Sequence, residues 1–182
     1  NTMKPPSFVL PGVVLMLLAA AAIFAGCISQ SPPIEYQSPV PVVVTSVNTA
    51  FNVSSSYQDA ELLSIGAEAG KALSPVISKI SDDASLNDIT SLGTDSARLS
   101  SLAGNYYFQM RGLNVSPKYQ AWKTNFLLGL LDVETAGDYF SKSAFFARSE
   151  DYTNASTYLE QGNTLFQRSN HYLTLATDSV QE

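Results

Sequence analysis

The chain has 182 residues, only 14% of them charged, and a formal net charge of −6. No basic cluster is present to track phosphates, which argues against a nucleic-acid partner. One cysteine excludes an intramolecular disulfide, and one histidine, His171, leaves zinc, di-iron and nucleophile–base sites short of ligands or a base. No cofactor or metal is therefore expected, and no enzymatic activity.

Residues 1–27 open with Met3 and Lys4, run through an apolar stretch from Phe8 to Ala25 broken only by Pro11 and Gly12, and end on Phe24-Ala25-Gly26-Cys27. A short basic start, an apolar stretch and small residues before a cut site are the parts of a secretory signal. The last four residues resemble the lipobox of prokaryotic lipoprotein precursors, with Phe24 where Leu is usual. The resemblance is confined to residues 1–27. It implies that the Cys27 thiol carries a diacylglyceryl-type lipid and that the chain is cut before it. Two acyl chains, at about 0.8 kcal/mol per buried CH₂, give stable attachment at the outer face of the cytoplasmic membrane. The competing reading is an uncleaved membrane anchor. Phe8 to Ile28 is long enough to cross a core of ~30 Å, and Lys4 would keep the N-terminus inside. Either way the remainder of the chain lies outside the cell.

Residues 28–55 contain Pro32, Pro33, Pro39 and Pro41 among several Ser and Thr. Proline at this density excludes helix and favours polyproline II, so the segment reads as an extended tether reaching ~75 Å at ~3.1 Å per residue.

Residues 56–182 show four stretches of helical periodicity, with apolar residues three and four apart. The first, about Tyr57 to Ile80, carries Leu62, Ile65, Ala69, Ala72, Leu73, Val76 and Ile80, with Ser56 as its cap and a kink expected at Pro75. The second, about Leu86 to Leu113, has Ser85 as cap and the row Ile89, Leu92, Ser96, Leu99, Ala103, Tyr106, Met110, Leu113. The third starts at Ser116-Pro117, a cap with proline in the first turn, and follows Tyr119, Trp122, Phe126, Leu130, Val133, Gly137, Phe140, Ala144, Ala147. The fourth, about Tyr152 to Val180, follows Ala155, Leu159, Gly162, Phe166, Ser169, Leu173, Ala176, Val180. One seam per segment and short polar joins predict an all-α fold, an antiparallel four-helix bundle. Two independent helical hairpins are the alternative. The join from Ala147 to Gly162 resembles the inter-helix turn of a tetratricopeptide repeat, but no second copy stands 34 residues away.

Chemistry is sparse. Asp132, Glu134 and Asp138 cluster on the third helix. Glu134 and Asp138, four apart, could hold a cation or act as an acid/base pair. A solvated face with an Asp138–Lys142 helix pair, worth ~0.3 kcal/mol, is the preferred reading. Aromatic residues are plentiful, and adjacent pairs must put one member off the seam. Tyr107, Tyr139 and Phe145 are therefore candidates for a partly exposed contact patch, as against packing at the bundle flanks.

Sequons for N-glycosylation occur at Asn52, Asn114 and Asn154. Lipobox, sequons and an acidic, lysine-poor composition together resemble an archaeal cell-surface lipoprotein. The expected function is membrane-anchored binding of a protein partner, envelope component or small ligand. The alternative is a module resembling the extracytoplasmic four-helix sensing domains of receptors.

Overall fold

The computed structural model describes residues 53–179. The signal or anchor with Cys27, the tether to position 52 with Asn52, and Val180 lie outside the described residues. Within them the chain folds as an all-α four-helix bundle. Its helices are α1 (Val53–Leu86), α2 (Ile89–Arg111), α3 (Pro117–Arg148) and α4 (Tyr152–Asp178). Helix α1 begins at Val53, inside the stretch expected to be tether, so Ser56 is not its cap. It continues through Pro75 and takes in Ser85 and Leu86, which were expected to open the second helix. The residue that starts α2 is Asp88, whose carboxylate accepts from the Ser91 backbone (3.1 Å) and the Ser91 hydroxyl (2.8 Å). Ser116 precedes Pro117 as expected but makes no side-chain cap bond. Its N–H donates to Asp59 of α1 (2.8 Å), which ties the start of α1 to the start of α3.

The four apolar rows form the core. Leu62, Leu73, Leu99, Met110, Leu130, Val133, Phe140 and Leu173 are almost fully buried. Trp122 and Phe126 stack four residues apart, centroids 4.6 Å, on one face of α3. Each helix packs against the next in chain order. Helix α1 touches α3 only slightly, and α1 and α4 do not approach one another among the described residues. The bundle is thus open on one flank. Glycines set the closest approaches. A Cβ at Gly137 would stand 2.7 Å from Ser100 N and 2.8 Å from Ser96 O, so α2 and α3 meet backbone to backbone. Gly129 seats Leu173 and Gly162 seats Phe140 between α3 and α4, and Gly66 receives the Trp122 ring.

The two halves share one plan, offset by 63 positions (88 to 151). Each hairpin turn has a residue at positive φ, Asn87 (56°) and Glu150 (60°), followed by a capping Asp. In each, the capping residue's own N–H bonds back to a carbonyl five residues earlier, Asp88 to Asp83 and Asp151 to Phe146, closing a Schellman-type helix end. Asp151 accepts from the Asn154 backbone (3.1 Å) and side chain (2.6 Å), as Asp88 does from Ser91. Thr94 bonds back to Thr90 O, and Thr157 to Thr153 O. The same offset carries Gly66 onto Gly129, Lys79 onto Lys142 and Ala84 onto Ala147. The hairpins are like units but not independent ones, because α2 packs along α3 more extensively than along α1.

Candidate functional site: an aromatic corner at the α3–α4 turn

Antiparallel packing puts the α1–α2 and α3–α4 turns at one end of the bundle. The α2–α3 loop and the start of α1 lie at the other. At the first end α3 and α4 form an aromatic corner. Phe146 and Tyr158 stack almost parallel, 5.4 Å apart and 4° between planes. Tyr139 lies 5.8 Å from Tyr158, and Phe145 meets Phe146 edge-on at 5.4 Å. Lys142 sits over two of the rings, 5.3 Å from the Tyr139 centroid and 5.8 Å from that of Tyr158. A cation so placed gains from the ring quadrupole and keeps the corner wet at its edge. Phe145 is 57% exposed, and Leu86, at the same end, is 77% exposed.

Beside this corner an open groove of about 630 Å³ runs between α3 and α4, lined by Asp132, Thr135, Tyr139, Gln161, Thr164 and Arg168 among others. Asp132 is nearly buried and is held by Arg168 through two bonds of 2.6 Å, from Nε and Nη2. This side-on fork gives each Asp132 oxygen one charge-assisted bond and ties α3 to α4.

Of the three patch candidates, the structure brings two together. Tyr139 and Phe145 belong to the aromatic corner. Tyr107 is half-buried against the core. Gly104 faces Glu134 and Gly93 faces Ala144, so Tyr107 lies level with the middle of α3. That is roughly 20 Å along the axis from Phe145 at ~1.5 Å per residue. The exposed ring near Tyr107 is Phe108, with the Arg111 guanidinium 4.3 Å above it. The expected patch does not include Phe146, Tyr158 or Lys142, the last being assigned to Asp138. A signal was there: Tyr139, Lys142 and Phe146 are three and four apart on one helix face.

The Asp138–Lys142 pair is not formed, because Lys142 turns to the rings instead. Glu134 packs against Gly104, and burial, then the nearby Asp138, raises its carboxyl above the usual range. Among the described residues no group of three or more His, Cys, Asp or Glu side chains converges as a metal site would require. His171 is exposed on α4 beside Tyr172. Asn114 lies in the α2–α3 loop and Asn154 in the first turn of α4. No described helix is long and apolar enough to cross a membrane. Compared with protein-family models, curated proteins and solved structures, the chain matches none.

Proposed function

We propose that this is an exported surface lipoprotein, anchored through Cys27 at the outer face of the cytoplasmic membrane, whose bundle is a non-enzymatic binding module. The observation that carries the binding half is the corner of Tyr139, Lys142, Phe145, Phe146 and Tyr158. Partly exposed aromatic side chains are enriched at recognition surfaces and carry much of their binding energy. The anchoring half rests on Phe24-Ala25-Gly26-Cys27 after an apolar run. The two halves fit each other. An anchor N-terminal to α1 leaves the aromatic corner at the far end of a helix 34 residues long, about 50 Å at ~1.5 Å per residue. A partner protein or envelope component would meet that end first.

A photoreactive amino acid at Phe145, in the full chain in its own membranes, tests the binding half. A discrete adduct is expected there and none from the same probe at Gln109, which is exposed at the opposite end. Equal labelling at both sites, or none at Phe145, overturns it. Cys27→Ser should yield an unlipidated, uncleaved precursor by intact mass; an unchanged mass and lipid content overturns the anchoring half. The α3–α4 groove favours a second reading, a sensor-like module holding a small polar ligand. Under that reading Gln161→Leu, and not Phe145→Ala, abolishes binding.

A further inference from the structure

We infer that Asn114 is the glycan acceptor of the folded bundle, although Pro117 follows its sequon, and that Asn154, which also stands in a sequon, is not an acceptor but a brace on the capping Asp151. An enzyme that transfers a glycan must hold the Asn and the Ser two residues on in one active site. In extended chain, residues i and i+2 point to the same side; in a helix they diverge.

Leu113 to Ser116 is non-helical, and Ser116 is in extended backbone (φ −62°, ψ 158°). Val115 points inward and is buried, while Asn114 is exposed and the Ser116 hydroxyl makes no cap bond. The acceptor amide and the recognition hydroxyl therefore flank an anchored residue. The loop is pinned by its other groups. Gln120 donates to Val115 O (2.7 Å), Lys123 to the carbonyls of Arg111 and Leu113, and Ser116 N–H to Asp59.

Asn154 is exposed too, and the middle residue of its sequon is also buried; it differs in backbone and in the partner of its amide. It lies within α4, with Ala155 buried beneath it. Its side-chain nitrogen donates to Asp151 Oδ2 at 2.6 Å. The internal repeat identifies what that nitrogen is for. Sixty-three positions earlier (154 to 91) the Ser91 hydroxyl makes the same bond to Asp88 Oδ2, in a turn that has no sequon at all. The Asn154 amide is thus the second hairpin's version of the Ser91 hydroxyl, a donor that braces the capping Asp.

The transfer runs from a polyprenyl phosphate- or pyrophosphate-linked oligosaccharide. Asn114 Nδ2 bonds to the anomeric carbon as that carbon's bond to the phosphate oxygen breaks. The electron pair leaves with the lipid carrier, and one amide proton passes to the transferase's base. In the cell this step rests on the export reading, but the test does not. The full chain is purified, incubated with a single-subunit oligosaccharyltransferase and its lipid-linked donor, and mapped by glycopeptide mass spectrometry, native and in urea the enzyme tolerates. In the native protein, occupancy at Asn114 should exceed that at Asn154 by about tenfold or more, because the α4 turn must open first. Unfolding, or Asp151→Ala in the native chain, should narrow the ratio by raising Asn154. Comparable native occupancy at both sites, or refusal of Asn114 in the native chain, overturns the inference. Cys27 lipidation does not affect either outcome.

Discussion

One corner of the molecule exists twice, in two chemistries. In the first hairpin it is Val76, Lys79, Asp83 and Asp95; in the second, 63 positions on, it is Tyr139, Lys142, Phe146 and Tyr158. One position is a lysine in both, and that lysine reaches from the first helix of its hairpin to the second. In the first it pairs with Asp95 at 3.2 Å, and in the second it lies over the ring of Tyr158. Asp83 faces Asp95 where Phe146 stacks on Tyr158. Two carboxylates bond well only when one holds a proton, so burial and Asp95 raise Asp83 above the usual range. Two rings have no such conflict, and the second corner becomes an apolar face. A shared backbone geometry therefore fixes which positions meet, while side-chain type decides whether the meeting makes a polar clasp or a contact surface.

The second hairpin also holds its helices together more extensively than the first. The largest expected effect tests that difference at equivalent positions (63 to 126). Phe126 is 2% exposed and Leu63 38%. Phe126→Ala should cost about 3–5 kcal/mol and Leu63→Ala about 1 kcal/mol or less in urea melts. Equal costs would break the comparison. Next comes Arg168→Ala, which strands the buried Asp132 carboxylate. About 1–3 kcal/mol is expected, less than the ~3–5 for a fully buried pair, since the Arg168 side chain is 54% exposed. Arg168→Ala with Asp132→Leu should recover most of it in a double-mutant cycle.

A smaller effect sharpens the contrast of the two corners. A raised carboxyl contributes stability fully present below its unfolded value, ~3.9, and lost as pH rises through the folded value. Asp83→Asn mimics the protonated form. It should raise Tm at pH 7, with the gain disappearing as pH falls below ~4. Asp88 and Asp151 run the other way. Hydrogen bonds from Ser91 and Asn154 hold both below the usual range, so their contribution is present above ~3.9 and is lost as pH drops through their folded values. The smallest effect is in the loop that joins the hairpins. Gly112 has φ −80° and open space where a Cβ would go, so Gly112→Ala should stabilise by about 0.4–1 kcal/mol, read from the same melts.

Periodicity made the helices legible, because burying a helix face demands apolar residues every three to four positions. Ser96, Ser169 and Gly137 were placed in the rows correctly although none is apolar. Helix ends were less legible. Ser85 is as good a cap residue by type as Asp88, and only the αL backbone of Asn87 reveals that the turn falls two residues later. The 63-residue repeat was hidden because matched positions differ in type, as Asp83 and Phe146 do. The aromatic corner was half legible. Tyr139 and Phe145 stood out as residues off the seam, whereas Tyr158 becomes a neighbour only once α4 folds back along α3.

The open flank has a mechanical meaning. A load applied at the N-terminal end enters α1, the helix least extensively packed on the others. Beyond its seam with α2, α1 is fastened to α3 near its start, by the Asp59–Ser116 bond and the Trp122 ring over Gly66. Those two fasteners take the pull first. If they yield, α1 can peel along α2 toward the Asn87 turn while α3 and α4 keep their shared seam. Helix α1 would then act as a tear strip, and the corner of Tyr139, Phe146 and Tyr158 would be the last part of the bundle to feel the strain.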